Sequence, residues 1–138
     1  MEALDERDSR KAEDSFIKEI EEHPENAYAY LYLAHIQLIN EEYGKALSSI
    51  DYAIKHMPKK DKEYKGACHY KRAGIYRALD KNEEAISDFT LAISYNPEDD
   101  DSYWERAQIY YEQKEYDLAD ADYKAMQKID ANSPLPYM

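Results

Sequence analysis

The chain has 138 residues, 43% hydrophobic and 35% charged, with a formal net charge of −12. That is one domain's worth of chain, long enough to bury a core, and its acidity repels a phosphate backbone, which excludes nucleic acid as a partner. The single cysteine, Cys68, rules out an internal disulfide, and no apolar run approaches the roughly 20 residues a membrane span needs.

Three glycines and five prolines favour long regular elements over turn-rich sheets. The charge is unevenly spread: ten acidic and four basic residues in 1–26, nine and ten in 27–97, eleven and four in 98–138. The stretch "EALDERDSRK" after Met1 lacks the apolar centre of a signal peptide.

In chain order, the first predicted element is a helix over 7–23, with Ala12 and Phe16 on its apolar side and Pro24 as its stop. Asn26 is a plausible N-cap for the next, 27–39, "AYAYLYLAHIQLI", which is apolar on more than one side, as suits a helix packed between neighbours. Ala46, Leu47, Ile50, Ala53 and Ile54 then recur at three and four, the spacing of an amphipathic helix, which Pro58 stops. Residues 61–65, "DKEYK", offer Asp61 as a cap and no glycine or proline until Gly66, so they predict an added turn on the helix over 66–79. A second stripe follows: Ala85, Ile86, Phe89, Ala92 and Ile93, ended by Pro97. Asp99 or Asp100 caps a helix over 100–113, and Ala119 and Tyr123 mark the last.

These elements repeat. "YKRAGIY" at 70–76 and "WERAQIY" at 104–110 share Arg-Ala-x-Ile-Tyr 34 residues apart, and Ala85 and Phe89 fall on Ala119 and Tyr123. An earlier copy, offset by five further residues, places Ala34, Ala46, Ile50, Ala53 and Pro58 on Ala73, Ala85, Phe89, Ala92 and Pro97. Ala12, Phe16 and Pro24 form half a copy more, so Met1 falls inside a helix. At the other end "SPLPYM" starts a copy, with Tyr137 where Tyr103 and Tyr30 stand.

Two antiparallel helices repeating every 34 residues resemble the tetratricopeptide repeat family over nearly the whole chain. The resemblance rests on Tyr30, Leu33, Ala34, Ala46, Ile50, Ala53 and Pro58, on Ala73, Tyr76, Ala85, Phe89, Ala92 and Pro97, and on Tyr103, Ala107, Tyr110, Ala119 and Tyr123. Gln37, Met126 and Ala131 depart from the pattern, where a tyrosine, an alanine and a proline are expected. The resemblance implies an all-α fold, a right-handed superhelical solenoid of helical hairpins. It divides the chain into a partial repeat (7–23), repeats at 27–60, 66–99 and 100–133 with 61–65 inserted, and the start of a truncated repeat at 134–138. It also implies a segment of a longer array with apolar surface at both ends.

On paired helices Arg72 faces Asp88 and Arg106 faces Asp122, whereas the first copy has Leu33 and Ser49 at these places. Two copies with both charges and one with neither indicate a structural ion pair.

His23, His35, His56 and His69 do not pair with one another or with Cys68 at helical spacing, so no metal is expected. "EDDD" at 98–101 suits a helix N-terminus better than a calcium loop. No phosphate loop, nucleophile elbow or zinc spacing appears, so neither a cofactor nor catalysis is expected.

In such an array the other face of each first helix lines a concave groove. The residues implied are Tyr28, Leu31, Tyr32, His35 and Leu38, then Ala67, Tyr70, Lys71, Gly74 and Arg77, then Asp101, Trp104, Glu105, Gln108 and Tyr111. Aromatic residues with a few charges suit protein recognition; the alternative is that helices outside this chain cover this face. Some family members clamp the C-terminal carboxylate of heat-shock chaperones with lysines, asparagines and an arginine. At matching places stand Leu31, His35, Lys71, Asp101 and Glu105, so that partner is rejected. The expected function is non-catalytic binding of a partner peptide or helix in the groove, or else a structural spacer or regulatory array in a longer protein. The compartment stays open. A monomer is expected, with at most a weak head-to-tail contact through the tail.

Overall fold

The computed structural model describes residues 6–131, which form seven α-helices and no strand: α1 (Glu6–Glu22), α2 (Ala27–Ile39), α3 (Tyr43–His56), α4 (Lys62–Ala78), α5 (Asn82–Tyr95), α6 (Asp100–Glu112) and α7 (Tyr116–Ala131). Helices α2–α3, α4–α5 and α6–α7 pair as hairpins, α1 packs on α2, and α3 to α4 and α5 to α6 join successive hairpins. This is an all-α helical-hairpin solenoid. The segment 132–138, with the truncated repeat and the tail contact expected of it, lies outside the described residues.

Side-chain caps set the starts of α2 and α6. Asn26 Oδ1 accepts the Ala29 amide at 3.3 Å and Asp99 Oδ1 the Ser102 amide at 3.2 Å, each satisfying one orphan donor of a first turn. Asp61 sits at the α4 cap position but makes no side-chain cap bond; its carboxylate accepts the Tyr28 hydroxyl instead. Helix α4 has 17 residues against 13 in α2 and α6, and the extra length lies at its N-terminal end. Gly66, buried there, brings α4 close to α5: a Cβ on it would lie 3.2 Å from Tyr95 Cβ.

Within each hairpin the turn is the same. Glu41, Asp80 and Lys114 have φ of 60°, 61° and 65°, and the following amides, of Glu42, Lys81 and Glu115, donate to the carbonyls of Gln37, Tyr76 and Tyr110 at 2.8 Å. This is a Schellman ending with a non-glycine residue in the left-handed region.

Small residues let the helices approach. Ala34, Ala73 and Ala107 of the first helices and Ala46, Ala85 and Ala119 of the second are buried. Ile50, Ile75, Phe89 and Ile109 fill the space between them, each fully buried and each contributing about 1.5–3 kcal/mol relative to exposure.

Charge locks two of the hairpins. Arg72 Nε and Nη2 donate to Asp88 Oδ2 and Oδ1 at 2.7 and 2.9 Å, and its Nη1 reaches Asp51 of α3 at 3.0 Å. Arg106 repeats this on Asp122 at 2.9 and 2.7 Å, with Nη1 on Thr90 of α5 at 2.9 Å. Each guanidinium thus ties its own hairpin together and ties it to the one before. Each also lies near tyrosine rings, Arg72 at Tyr76 and Arg106 at Tyr103 and Tyr110. In the first hairpin Leu33 is buried and Ser49 Oγ donates to Gln37 Oε1 at 2.7 Å. Gln37, the departure at the tyrosine position, is therefore the acceptor that satisfies a buried serine.

Candidate functional site

The expected groove residues stand on one side of α2, α4 and α6, but the structure divides them into three environments. Between α2 and α4, Leu31, Tyr32, His35, Tyr70 and Lys71, with Ala67, line a cavity of about 310 Å³. Leu31 is only 6% exposed and belongs to the core, so it is the floor of this cavity and not a free contact. Tyr32 is exposed, and the Phe16 ring of α1 stacks on it at 5.8 Å. Tyr70 is half-buried and meets Phe89 edge to face. Burial first, then the carboxylates of Glu105, Asp101 and Asp99, push its phenol up to about 12.

The charges of the cavity belong to two side chains. Lys71 Nζ lies 2.7 Å from His35 Nδ1. Burial, then the ammonium of Lys71, pushes the His35 imidazole down, and burial lowers Lys71. A neutral imidazole accepts a hydrogen bond from the ammonium and leaves its charge uncompensated. Among the described residues no carboxylate pairs with Lys71.

Tyr28 departs from the expected open surface. Its hydroxyl donates to Asp61 and its ring meets Tyr64, from the added turn, at 4.9 Å. Arg77 is not free either: it donates to Glu105 Oε2 at 3.0 Å and Glu112 Oε1 at 2.9 Å, binding α4 to α6. These bonds join α4 to α6 where an open contact was expected.

On α6, Glu105 faces α4, whereas Trp104, Gln108 and Tyr111 turn toward α7. Gln108 Nε2 donates to the Tyr123 hydroxyl at 2.7 Å, and the Trp104 ring lies 5.8 Å from that of Tyr123. Tyr111 meets Tyr116 edge to face at 5.3 Å. Trp104 is 47% and Tyr111 58% exposed, so both are accessible, but Tyr111 lines a separate cavity with Tyr116 and Tyr123. Tyr116, which lies outside the repeat pattern, was missed at the sequence level.

Two acidic clusters have the spacing of metal ligands, Glu19, Glu22 and His23 at the end of α1, and Asp99, Asp100 and Asp101 at the start of α6. Both are largely solvated, and Asp99 is engaged as the α6 cap. Cys68 is fully buried in the core, and burial pushes its thiol up to about 11, away from the reactive thiolate.

A model of the tetratricopeptide repeat family matches residues 1–61 and 70–134. The chain belongs to the tetratricopeptide repeat family. No curated protein matches it. Among solved structures, the tetratricopeptide chain is similar to MamA, at 20% identity with a TM-score of 0.81 over 89% of this chain and 69% of that one. MamA 41-end from Desulfovibrio magneticus superposes at 14% identity with a TM-score of 0.81, over 93% of this chain and 70% of that one. A tetratricopeptide repeat protein from Parabacteroides merdae does so at 23% identity and a TM-score of 0.79, over 94% and 50%. At such identities the likeness is one of fold. The tetratricopeptide fold is that of a protein–protein interaction module, typically non-catalytic, and no helix among the described residues is long and apolar enough to cross a membrane.

Proposed function

We propose that this tetratricopeptide array holds a peptide segment of a partner protein in the cavity between α2 and α4. An apolar side chain of the segment rests on Leu31, Tyr32 and Tyr70, and an acidic group meets Lys71. One observation carries the reading. In a chain with 30 acidic residues, Lys71 lies beside an apolar cavity with a neutral imidazole as its partner, whereas Arg77 on the same helix is compensated by two glutamates. A half-buried cation that no carboxylate meets gains from an incoming anion.

Affinity capture with the wild-type chain and with Lys71→Glu tests it, with crosslinks mapping what is retained. The expected result is a partner crosslinked at Tyr32 or Tyr70 and weakened roughly tenfold or more by the charge reversal, at unchanged thermal stability. Retention by Lys71→Glu equal to wild type contradicts it and leaves the array as a spacer.

A further inference from the structure

The hairpin α6–α7 carries a second surface, of opposite chemistry. Tyr111, Tyr116 and Tyr123 line a cavity of about 380 Å³, with Ala119 buried at its base and Asp117 and Asp120 beside them. The rings are held in place: Tyr123 by the Gln108 amide and Tyr111 by its contact with Tyr116. Asp117 has no cationic partner among the described residues. Asp120 has only Lys124, one turn on, in an exposed pair at 2.9 Å that contributes little.

Comparison within the molecule shows what does not fit here. The positions of Asp120 and Gln127 in α7 correspond to Leu47 and Ile54 in α3, and to Ile86 and Ile93 in α5. Leu47 and Ile54 pack into a core that includes Cys68 and Ile75 of the following α4, and Ile86 into one that includes Ile109 of the following α6. A hairpin stacked on α7 in the same way would press apolar surface on the Asp120 carboxylate, which loses its hydration without compensation. The occupant of this face therefore brings positive charge.

We propose that the α6–α7 hairpin binds a lysine or arginine side chain of a partner protein. Its aliphatic stem lies on the tyrosine rings, and its charge is shared between the ring faces and the carboxylates of Asp117 and Asp120. Another protein is favoured as the source over residues 132–138, which contain no basic residue, and over a second copy, which at net charge −12 is repelled at long range.

The test is an NMR titration of the full chain with the acetylated, amidated peptide Ala-Leu-Arg-Leu-Ala and with its citrulline counterpart, which keeps the shape and removes the charge. The expected shifts fall on Tyr111, Tyr116, Asp117 and Tyr123. The arginine peptide binds about fivefold more tightly than the citrulline one, and raising salt weakens only the former. The exposed pair Asp117→Asn and Asp120→Asn brings the arginine peptide down to the citrulline level at unchanged melting temperature, while leaving Lys71-dependent binding intact. Equal affinity for the two peptides, shifts confined to the α2–α4 cavity, or self-association at this face that survives the double substitution would each overturn the proposal.

Discussion

The first and second hairpins solve one packing problem with different chemistry. In α2–α3 the space between the helices is filled by Leu33 and closed by the neutral Ser49–Gln37 bond. In α4–α5 the same three places hold Arg72, Asp88 and Tyr76, with the carboxylate only 2% exposed and bonded to both Arg72 and His69. Either solution leaves no described buried side-chain polar atom unpaired. The lesson is that the arginine is exchangeable only together with its partners, because what matters is the completeness of the set.

The largest effect should come from breaking the set in the second hairpin. Arg72→Leu alone leaves a buried carboxylate with only a histidine, and should lower unfolding free energy by about 3 kcal/mol in urea titrations. Transplanting the first hairpin's residues at these three places, Arg72→Leu with Tyr76→Gln and Asp88→Ser, should recover part of that, to within about 2 kcal/mol of wild type, because His69 also loses its carboxylate partner. If the triple variant is no better than the single one, the two solutions are not equivalent.

A smaller, pH-dependent difference follows from Asp88. Burial pushes its carboxyl up, but hydrogen bonds from His69 and Arg72 and their charges outweigh this and hold it below its ordinary value of 3.8. A carboxyl lowered in the folded state stabilises above the ordinary value, and that stability is lost as pH falls through the folded one. Melting curves taken from about pH 5 down to about pH 2 should show a steeper loss for wild type than for the triple variant, in which no Asp88 remains. Parallel curves would mean that the lock does not respond to acid.

The smallest effect concerns a feature all three hairpins share. Glu41→Gly and Lys114→Gly should each stabilise by about 0.5 kcal/mol, since glycine removes the Cβ strain at a positive φ and gives back part of the gain as unfolded-chain entropy. Differential scanning calorimetry decides the sign.

Much of this was legible in the residues. The period of 34 fixed the hairpins, and two arginines with two aspartates at equal offsets marked the locks. "DKEYK", free of glycine and proline, announced the longer α4. The left-handed turns were not legible, because Glu41, Asp80 and Lys114 replace the glycine that would have signalled them. The division of the expected groove residues was hidden for another reason. Leu31, Tyr70 and Trp104 share one register position yet pass from buried to half-buried to exposed, because each depends on the hairpin that follows it. Periodicity assigns a face, whereas burial needs the neighbour.

The arginines tie the hairpins together, and Lys71, one residue before Arg72, is the residue proposed to read the partner. The most direct measurement is the affinity of the captured partner segment for wild type, for Lys71→Glu and for the triple lock variant, each below its melting temperature. The prediction is a loss of roughly tenfold or more for Lys71→Glu and a change within about twofold for the lock variant. A lock variant that loses binding as severely as Lys71→Glu, while still folded, would contradict it and make Arg72 a ligand-binding residue.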